Sequence, residues 1–332
     1  MSLKSEIAAI RIEKTGGPEV LKVGRLPGPM PGPGEIRIRH AAVGVNFIDT
    51  YHRSGLYKVA LPSGLGLEAA GEVDALGEGV EEWALGDRVA YCTGPIGAYA
   101  QAHTVKADRA VRLPKGIDFD TAAASLLKGL TVQYLIRQIR RVAEGETVLF
   151  HAGAGGVGQI AIQWLKSLRA RVIATAGGAE KCEMCLKLGA DTVIDYRTDG
   201  VAAIAPKVRE VTEGAGVPVV YDGVGKDTFP ASLASLAPRG LLVSFGNASG
   251  PVTGVDLGVL AQHGSLFVTR PTLAHYVATK EELQRAADDF FATLVSGKVT
   301  VTAPQILPLA EAAQAHRLLE GRATTGSLVL RP

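Results

Sequence analysis

A glycine-rich turn between an apolar strand and an amphipathic helix constrains this chain more than any other feature. Residues 151–168 read "HAGAGGVGQIAIQWLKSL", so Gly153, Gly155 and Gly158 fit the spacing G-x-G-x-x-G. The spacing alone describes many tight strand-to-helix turns. Its flanks add the meaning: the apolar run Val148–Phe150 precedes it, and an amphipathic stretch, Val157–Leu168, follows. In that setting the glycines permit the turn, let backbone approach a pyrophosphate and let helix and strand pack closely. The helix N-terminus then offers its unbonded N–H groups to the phosphates. The turn predicts a dinucleotide site.

The surrounding pattern predicts the rest of such a unit. Between 146 and 270 the runs "TVLFHAG", "RVIATAG", "DTVIDY", "VPVVYDGVG", "GLLVSFGN" and "SLFVTRP" read as strands. Helical stretches lie between them at 156–168, 179–188, 200–213, 228–237 and 255–262. Strands joined in this way make two βαβαβ halves, hence an α/β fold with a parallel, doubly wound sheet. The first 115 residues differ, being β-rich, irregular and broken by Gly and Pro. In "EIRIRH", Ile36 and Ile38 alternate with Arg37 and Arg39, which predicts a half-exposed strand. From 118, "DFDTAAASLLKGLTVQYLIRQIRR" has helical spacing, with Asp118 and Asp120 at its start and Arg137, Arg140 and Arg141 at its end. That charge order suits the helix dipole, and the helix leads into a second domain. The last strand, in "TTGSLVLRP", is expected to pair back into the first domain. A length of 332 residues suits two domains.

Composition narrows the function classes. The formal net charge is +2 and no basic run exceeds a pair, so nothing draws the chain to nucleic acid or an anionic membrane. No apolar window is long enough for a membrane span. "MSLKSEIAAIRIEK" carries charges where a signal peptide needs an apolar core. Three cysteines, Cys92, Cys182 and Cys185, make no disulfide framework and fit a reducing compartment. A cytoplasmic location is expected.

The second strand of the nucleotide unit ends in "ATAGGAEK". A site for NAD would place Asp or Glu there to accept from the ribose 2′-hydroxyl, and that carboxylate would repel a 2′-phosphate. Its absence points to NADPH. Arg171 begins the strand and so lies at the wrong end of the sheet, whereas Lys181 falls in the first turn of the next helix. Lys181 reads either as the phosphate ligand or as a solvated surface lysine.

A zinc dehydrogenase with this organisation would need Cys and His ligands. The N-terminal part offers only Cys92, with His40, His52 and His103 at no convincing ligand spacing. "CEMC", residues 182–185, lies on a helix of the nucleotide unit with no second pair. No metal is expected. A carbonyl would then be polarised by hydrogen-bond donors, and "NFIDTYHRSGLY" supplies Asn46, Asp49, Tyr51 and Tyr57 within twelve residues. A tyrosine hydroxyl can donate to a developing oxyanion. Spacing alone leaves the alternative that both tyrosines only pack with one edge wet.

Over nearly its whole length the chain resembles the zinc-free NADPH:quinone oxidoreductases, the zeta-crystallin-like group of the medium-chain dehydrogenase/reductase superfamily. "NFIDTYHRSGLY", "LPSGLGLEAAGEV", "ASLLKGLTVQYL", "HAGAGGVGQIA", "VVYDGVGKDTF", "GLLVSFGNASGPVTGV", "GSLFVTRP" and "GRATTGSL" carry the likeness. The resemblance implies a GroES-like catalytic domain made from both chain ends, residues 1–126 and 265–332, around a Rossmann domain at 127–264. It implies that Lys181, Tyr196 and Arg322 hold the 2′-phosphate of NADPH. Pyrophosphate and ribose contacts fall on Gly156, Val157 and Gly177. Nicotinamide contacts fall on Thr131, Phe245, Gly246, Asn247, Thr269 and Arg270. The substrate side carries over to Asn46, Asp49, Tyr51 and Tyr57, and "SLFVTRP" is the expected homodimer strand. One departure is Gly223, where relatives often carry serine. The expected activity is reduction of a quinone by NADPH without metal. The alternatives are reduction of an enone or alkenal C=C bond on the same scaffold, or an NADPH-binding structural or RNA-binding role.

Overall fold

Alternation in the first part of the chain becomes an antiparallel sheet in the computed structural model, which describes residues 6–332 apart from 322, 323 and 325. A hairpin of β1 (Glu6–Arg11) and β2 (Lys22–Pro27) precedes the long β3 (Glu35–Val45) and the short helix α1 (Phe47–Ser54). Then come β4 (Ala69–Leu76), β5 (Arg88–Tyr91), β6 (Ala102–Lys106) and β7 (Val111–Arg112). β3 pairs antiparallel with β4 along one edge and with β6 along the other. Ile36 and Ile38 are fully buried, as the alternation requires, and Arg39 faces solvent. Arg37 departs from the expected exposed face. It is buried because Nε donates to Asp74 at 2.8 Å and Nη1 donates to the Pro29 carbonyl at 3.1 Å. A buried guanidinium persists only when its donors are met.

The helix expected from 118 is α2 (Phe119–Gln133), continued by a π-helical turn over Tyr134–Ile139. Asp118 caps it, accepting from the Thr121 N–H at 2.6 Å. The chain divides inside this helix. One unit runs to Lys128 and resumes at Val277–Val295 and Val301–Pro332, and the other comprises Gly129–Tyr276 with Ser296–Thr300.

The second unit contains β8 (Thr147–Phe150), α3 (Gly156–Ser167), β9 (Arg171–Ala176), α4 (Ala179–Lys187) and β10 (Thr192–Asp195). It continues through α5 (Ile204–Val211), β11 (Val217–Asp222), α6 (Phe229–Ser235), β12 (Leu236–Ser244), α7 (Gly258–Gln262), β13 (Phe267–Thr269) and α8 (Leu273–Tyr276). Its six strands lie in the order β10-β9-β8-β11-β12-β13, all parallel. Leu149, Ile173, Ile194, Val220 and Leu242, one from each of five strands, join Ile204 and Val208 of α5 in one buried cluster. Strands covered on both faces read as continuous apolar runs, which is why the sequence displays them plainly. The chain order reverses between β8 and β11, the switch point at which such sheets hold ligands.

The expected boundary at 264/265 moves. Residues 267–269 pair with β12 as the sixth strand, so this unit extends to Tyr276. The return segment then holds α9 (Lys280–Val295), β14 (Gln305–Pro308), α10 (Ala312–Glu320) and β15 (Leu328–Arg331). β15 pairs antiparallel with the Val43–Val45 end of β3, so the final strand does close the first unit's sheet. Leu328 and Leu330 join Ile36, Ile38 and Val43 in its core.

Candidate functional site

In the second unit the expected cofactor residues gather at one edge of the sheet. The glycine turn follows β8, Gly177 follows β9, Tyr196 follows β10, Phe245, Gly246 and Asn247 follow β12, and Thr269 and Arg270 stand at the end of β13. All lie at the carboxyl ends of parallel strands, where α/β sheets bind ligands. Thr131 is buried in α2. Arg322 lies outside the described residues.

The glycines of the turn are dictated by its geometry. A Cβ on Gly158 would stand 2.6 Å from the Gly153 carbonyl oxygen and nearer still to that of Ala152. One on Gly153 would meet Ala174, Cys185 and Ile162 at about 3 Å. Strand β8 and helix α3 are therefore as close as backbone allows. The N-cap of α3 is Gly155, and no side chain caps it. The first N–H groups, Gly156 and Val157, are left open to a ligand by helix geometry.

A buried network under the turn fixes it. The Asp222 carboxylate accepts from the N–H groups of Val224 and Gly225 and from Thr228, and also from Ser232 Oγ at 2.7 Å. Ser232 has spent its proton there, so it accepts from His151 Nε2 at 3.0 Å. His151 Nδ1 is then the acceptor for Thr175 Oγ1 at 3.1 Å, and Thr175 Oγ1 in turn receives the Ala152 N–H. Burial holds the pKa of His151 below its ordinary value, so it stays neutral in this chain of bonds.

At the end of β9 no acid replaces the missing carboxylate. A Cβ on Gly177 would touch the Tyr196 ring at 2.7 Å, so the ring lies over this glycine. Asp195 is the nearby acid that the sequence reading passed over. Its carboxylate is turned to the loop, accepting from the N–H groups of Gly178 and Arg197 at 2.9 Å and from Thr198 at 3.0 Å. Those bonds, the Gly178 N–H first, hold its pKa low. Lys181 is half-buried in the first turn of α4. Arg197, whose guanidinium comes within 3.8 Å of a Cβ placed on Gly178, is a further cation beside this end of the sheet. No motif in the sequence marked it. The donor set and the close-packed turn fit a dinucleotide bearing a 2′-phosphate.

Gly223 also has a physical reason. A Cβ there would stand 2.9 Å from the ring of Phe245, a residue whose backbone N–H is held by the Asp222 carbonyl at 2.8 Å. The ring occupies the space a serine would need. Arg270 donates to the Ser244 carbonyl at 2.7 Å, tying the β12 and β13 ends together.

In the first unit, α1 and the residues flanking it carry the substrate-side candidates. Tyr51 and Tyr57 pack edge to face with ring centroids 5.2 Å apart, Tyr51 buried and Tyr57 half-buried. The left-handed Gly55 (φ 85) ends the helix and lets the Tyr57 N–H return to the Tyr51 carbonyl at 3.0 Å. Asn46 and Asp49 point elsewhere. Asp49 is fully buried and accepts from the Asn46 N–H at 2.8 Å and from Tyr99 OH at 2.9 Å. Burial raises its pKa to about 7 against those two bonds. Tyr99 OH also meets His316 Nε2 at 3.1 Å, and Arg53 donates to His316 Nδ1 at 3.1 Å. Arginine can only donate, so Nδ1 accepts, Nε2 carries the proton, and every bond runs from Arg53 towards Asp49. Arg53 is anchored by a two-pronged pair with Glu320 at 2.6 and 2.9 Å.

Asn46 joins a second acid that sequence spacing did not reveal. Its Nδ2 donates to Glu68 Oε2 at 2.7 Å, and Oε1 accepts the Leu127 N–H at 2.6 Å. Glu68 is fully buried, and burial raises its pKa. Lys128 Nζ lies 4.0 Å from Oε2. Among the described residues no group of three or more His, Cys, Asp or Glu side chains is placed to hold a metal ion. Nor is any helix among them long and apolar enough to cross a membrane.

Two family models match the chain: "Alcohol dehydrogenase GroES-like domain" over residues 32–115 and "Zinc-binding dehydrogenase" over residues 156–292. A quinone oxidoreductase of Pseudomonas aeruginosa is 54% identical, the match covering 97% of this chain and 99% of that one. Quinone oxidoreductase 1 of Escherichia coli is 51% identical over 98% of this chain and all of the other. A crystal structure of an Escherichia coli quinone oxidoreductase complexed with NADPH superposes with a TM-score of 0.96 at 50% identity, covering 98% of this chain and 100% of that one. With its GroES-like and doubly wound units and this full-length likeness, the chain belongs to the quinone oxidoreductase family of the medium-chain dehydrogenases/reductases.

Proposed function

We propose that this protein is a metal-independent NADPH:quinone oxidoreductase of the cytoplasm. The observation that carries the reading is the full-length identity with quinone oxidoreductases, 54% in the first case. The geometry supports the cofactor. NADPH, when bound, supplies a hydride. Gly156 and Val157 donate backbone N–H groups to its pyrophosphate, and Gly177 lets the ribose approach. Lys181, Tyr196 and Arg322 hold the 2′-phosphate, with no carboxylate at the end of β9 to oppose it. Thr131, Phe245, Gly246, Asn247, Thr269 and Arg270 shape the place of the nicotinamide.

On the substrate side, Tyr51 and Tyr57 donate hydroxyl hydrogen bonds to the quinone oxygen as negative charge grows on it. Asn46 and Asp49 fix the start of α1 and so the direction of both rings. Asp49 is a positioning residue in this scheme, since its Oδ2 holds the Asn46 N–H and Tyr99 OH.

The chain also pairs with a second copy through β13. This strand is the edge of the parallel sheet, and it exposes Phe267 at 62% and Val268 at 41%. An apolar open edge of that kind is a pairing surface unless something covers it.

Oxidation of NADPH against a panel of quinones, enones and alkenals tests the activity. Turnover of quinones with EDTA present is expected. Turnover of enones alone, or restoration by zinc after chelation, overturns the reading. Cofactor titrations of Lys181→Ala test the phosphate site. A hydrogen bond to a charged group contributes about 1.5–3 kcal/mol. NADPH binding should therefore weaken roughly ten- to a hundred-fold, with NADH nearly unmoved. Equal losses for the two cofactors would refute the assignment.

A further inference from the structure

Lys128 has no role in the scheme above, yet its side chain is more than nine-tenths buried. An ammonium group has three hydrogens to donate, and Nζ has no hydrogen-bond partner among the described residues. Its ion-pair neighbour, Glu68 Oε2, stands at 4.0 Å, beyond hydrogen-bond reach. That oxygen already accepts from Asn46 Nδ2 at 2.7 Å, and the other oxygen accepts the Leu127 N–H at 2.6 Å. So the carboxylate holds the ammonium near without bonding it, on the same oxygen that orients Asn46. A buried cation with three open donors is costly to keep unless something fills them. The residue that shares this carboxylate with it, Asn46, is the N-cap of α1, the helix that carries Tyr51.

We propose that Lys128 gives the proton to the quinone oxygen during reduction, with Glu68 holding the ammonium beside Asn46. The inference rests on the quinone-reductase reading. The hydride brings two electrons and one hydrogen to the quinone, which leaves an anionic oxygen. An N–H bond of the ammonium breaks and an O–H bond forms, giving the neutral hydroquinone. The amine then regains its proton from water. The charged groups facing Nζ are Glu68 and Asp49. Burial lowers the Lys128 pKa and both carboxyl groups oppose that, so the ammonium is made acidic while a counter-charge retains it.

The test is a quinone series in which the basicity of the hydroquinone anion varies, with wild type, Lys128→Met and Lys128→Arg. General acids contribute about 10²–10⁴-fold, and quinones, being reactive, belong at or below the lower end. Lys128→Met should lose about ten- to a hundred-fold in kcat/KM on electron-rich quinones and little on electron-poor ones, whose anions need no proton. Arginine keeps the charge next to Glu68 but does not release a proton, so Lys128→Arg should fail on the same quinones. Glu68→Gln should shift the alkaline fall of activity to lower pH, because the counter-charge is gone. NADPH affinity should stay at the wild-type value in all three.

Should Lys128→Met fail to fold, Lys128→Arg and the wild-type solvent isotope effect on electron-rich quinones decide the question. A uniform loss across the series, or full activity with arginine, overturns the proposal and leaves Lys128 as a structural counter-ion. A wild type inert to every quinone overturns the activity reading, and this proposal with it.

Discussion

Replacing Gly158 by alanine tests whether the glycine turn is held by backbone contact. A Cβ at that position would stand 2.6 Å from the Gly153 oxygen and closer to the Ala152 oxygen. Both are backbone atoms of the turn itself, so neither can swing aside as a side chain would. Overpacking of this kind costs about 1–3 kcal/mol. Alanine's better helix propensity returns up to about 1 kcal/mol, since the residue lies in α3. For a unit of this size each kcal/mol moves Tm by roughly 2–4 °C, so a fall of several degrees is expected. Relief requires the turn to open, which moves the Gly156 and Val157 N–H groups away from the pyrophosphate. Loss of one such bond, at about 1.5–3 kcal/mol, raises the NADPH Kd roughly ten- to a hundred-fold. Gly155→Ala is the control for the melt alone, because a methyl there faces the pyrophosphate's approach and not the body of the turn. Its Cβ would meet the Ala152 oxygen at 3.2 Å, and its φ of −74° suits any L residue. Thermal melts and NADPH fluorescence titrations read both effects. If Gly158→Ala melts and binds as wild type, or if Gly155→Ala melts as low, the close-approach reasoning fails.

His316→Gln should flatten the acid side of the stability profile. Burial holds the His316 pKa down to about 3, so the stability it contributes is whole above 6.5 and drains as pH falls towards 3. Urea titrations between pH 7 and 4 should show a shallower decline in the variant, and an unchanged slope refutes the assignment. Tyr51→Phe and Tyr57→Phe should each lower kcat/KM for quinones, by less than the roughly 2.7–4 kcal/mol of a lost oxyanion donor, at constant NADPH affinity. If both variants behave as wild type, the edge-to-face pair only packs. Phe267→Asp should convert a dimer to a monomer in sedimentation, and a monomeric wild type would refute the pairing strand.

Parts of this architecture were legible in the sequence for reasons that particular residues display. The turn at 153–158 shows itself because carbonyl oxygens exclude any Cβ at Gly158, leaving glycine as the only residue. The strands of the second unit show themselves because both faces are covered. Lys181 could be singled out because a carboxylate was missing beside it. Glu68 was not legible. No local pattern in "GLEAAGEV" marks it, and its burial is set by partners 22 and 59 residues away, Asn46 and Leu127. His316 is joined to Tyr99 and Arg53 across more than two hundred residues, so no local pattern could reveal it. The residues themselves display "SLFVTRP" as a strand of the second unit, whereas the boundary at 264/265, implied by the resemblance, cuts that strand off from the β12 it pairs with.

The two units solve the same physical problem with different residues. Each must hold a few donors in fixed directions where water would otherwise compete, and each does so with a buried carboxylate, both oxygens being bonded in Asp222 and Oδ2 alone in Asp49. In the second unit Asp222 receives two backbone N–H groups and two hydroxyls, and through Ser232 and the neutral His151 it fixes the base of the glycine turn. In the first unit Asp49 receives the Asn46 N–H and Tyr99 OH, and through His316 its chain ends on Arg53. In both, a histidine kept neutral by burial passes direction without passing charge, because the partner on one nitrogen decides which nitrogen donates. Glu68 differs in having a cation for a neighbour. Its two oxygens are taken by Asn46 and Leu127, yet a lysine with open donors stands 4.0 Å away. A network built only for rigidity would bond that ammonium or replace it with an apolar side chain, since an unmet buried charge is destabilising. Its retention beside Asn46 is what the proposed proton delivery requires.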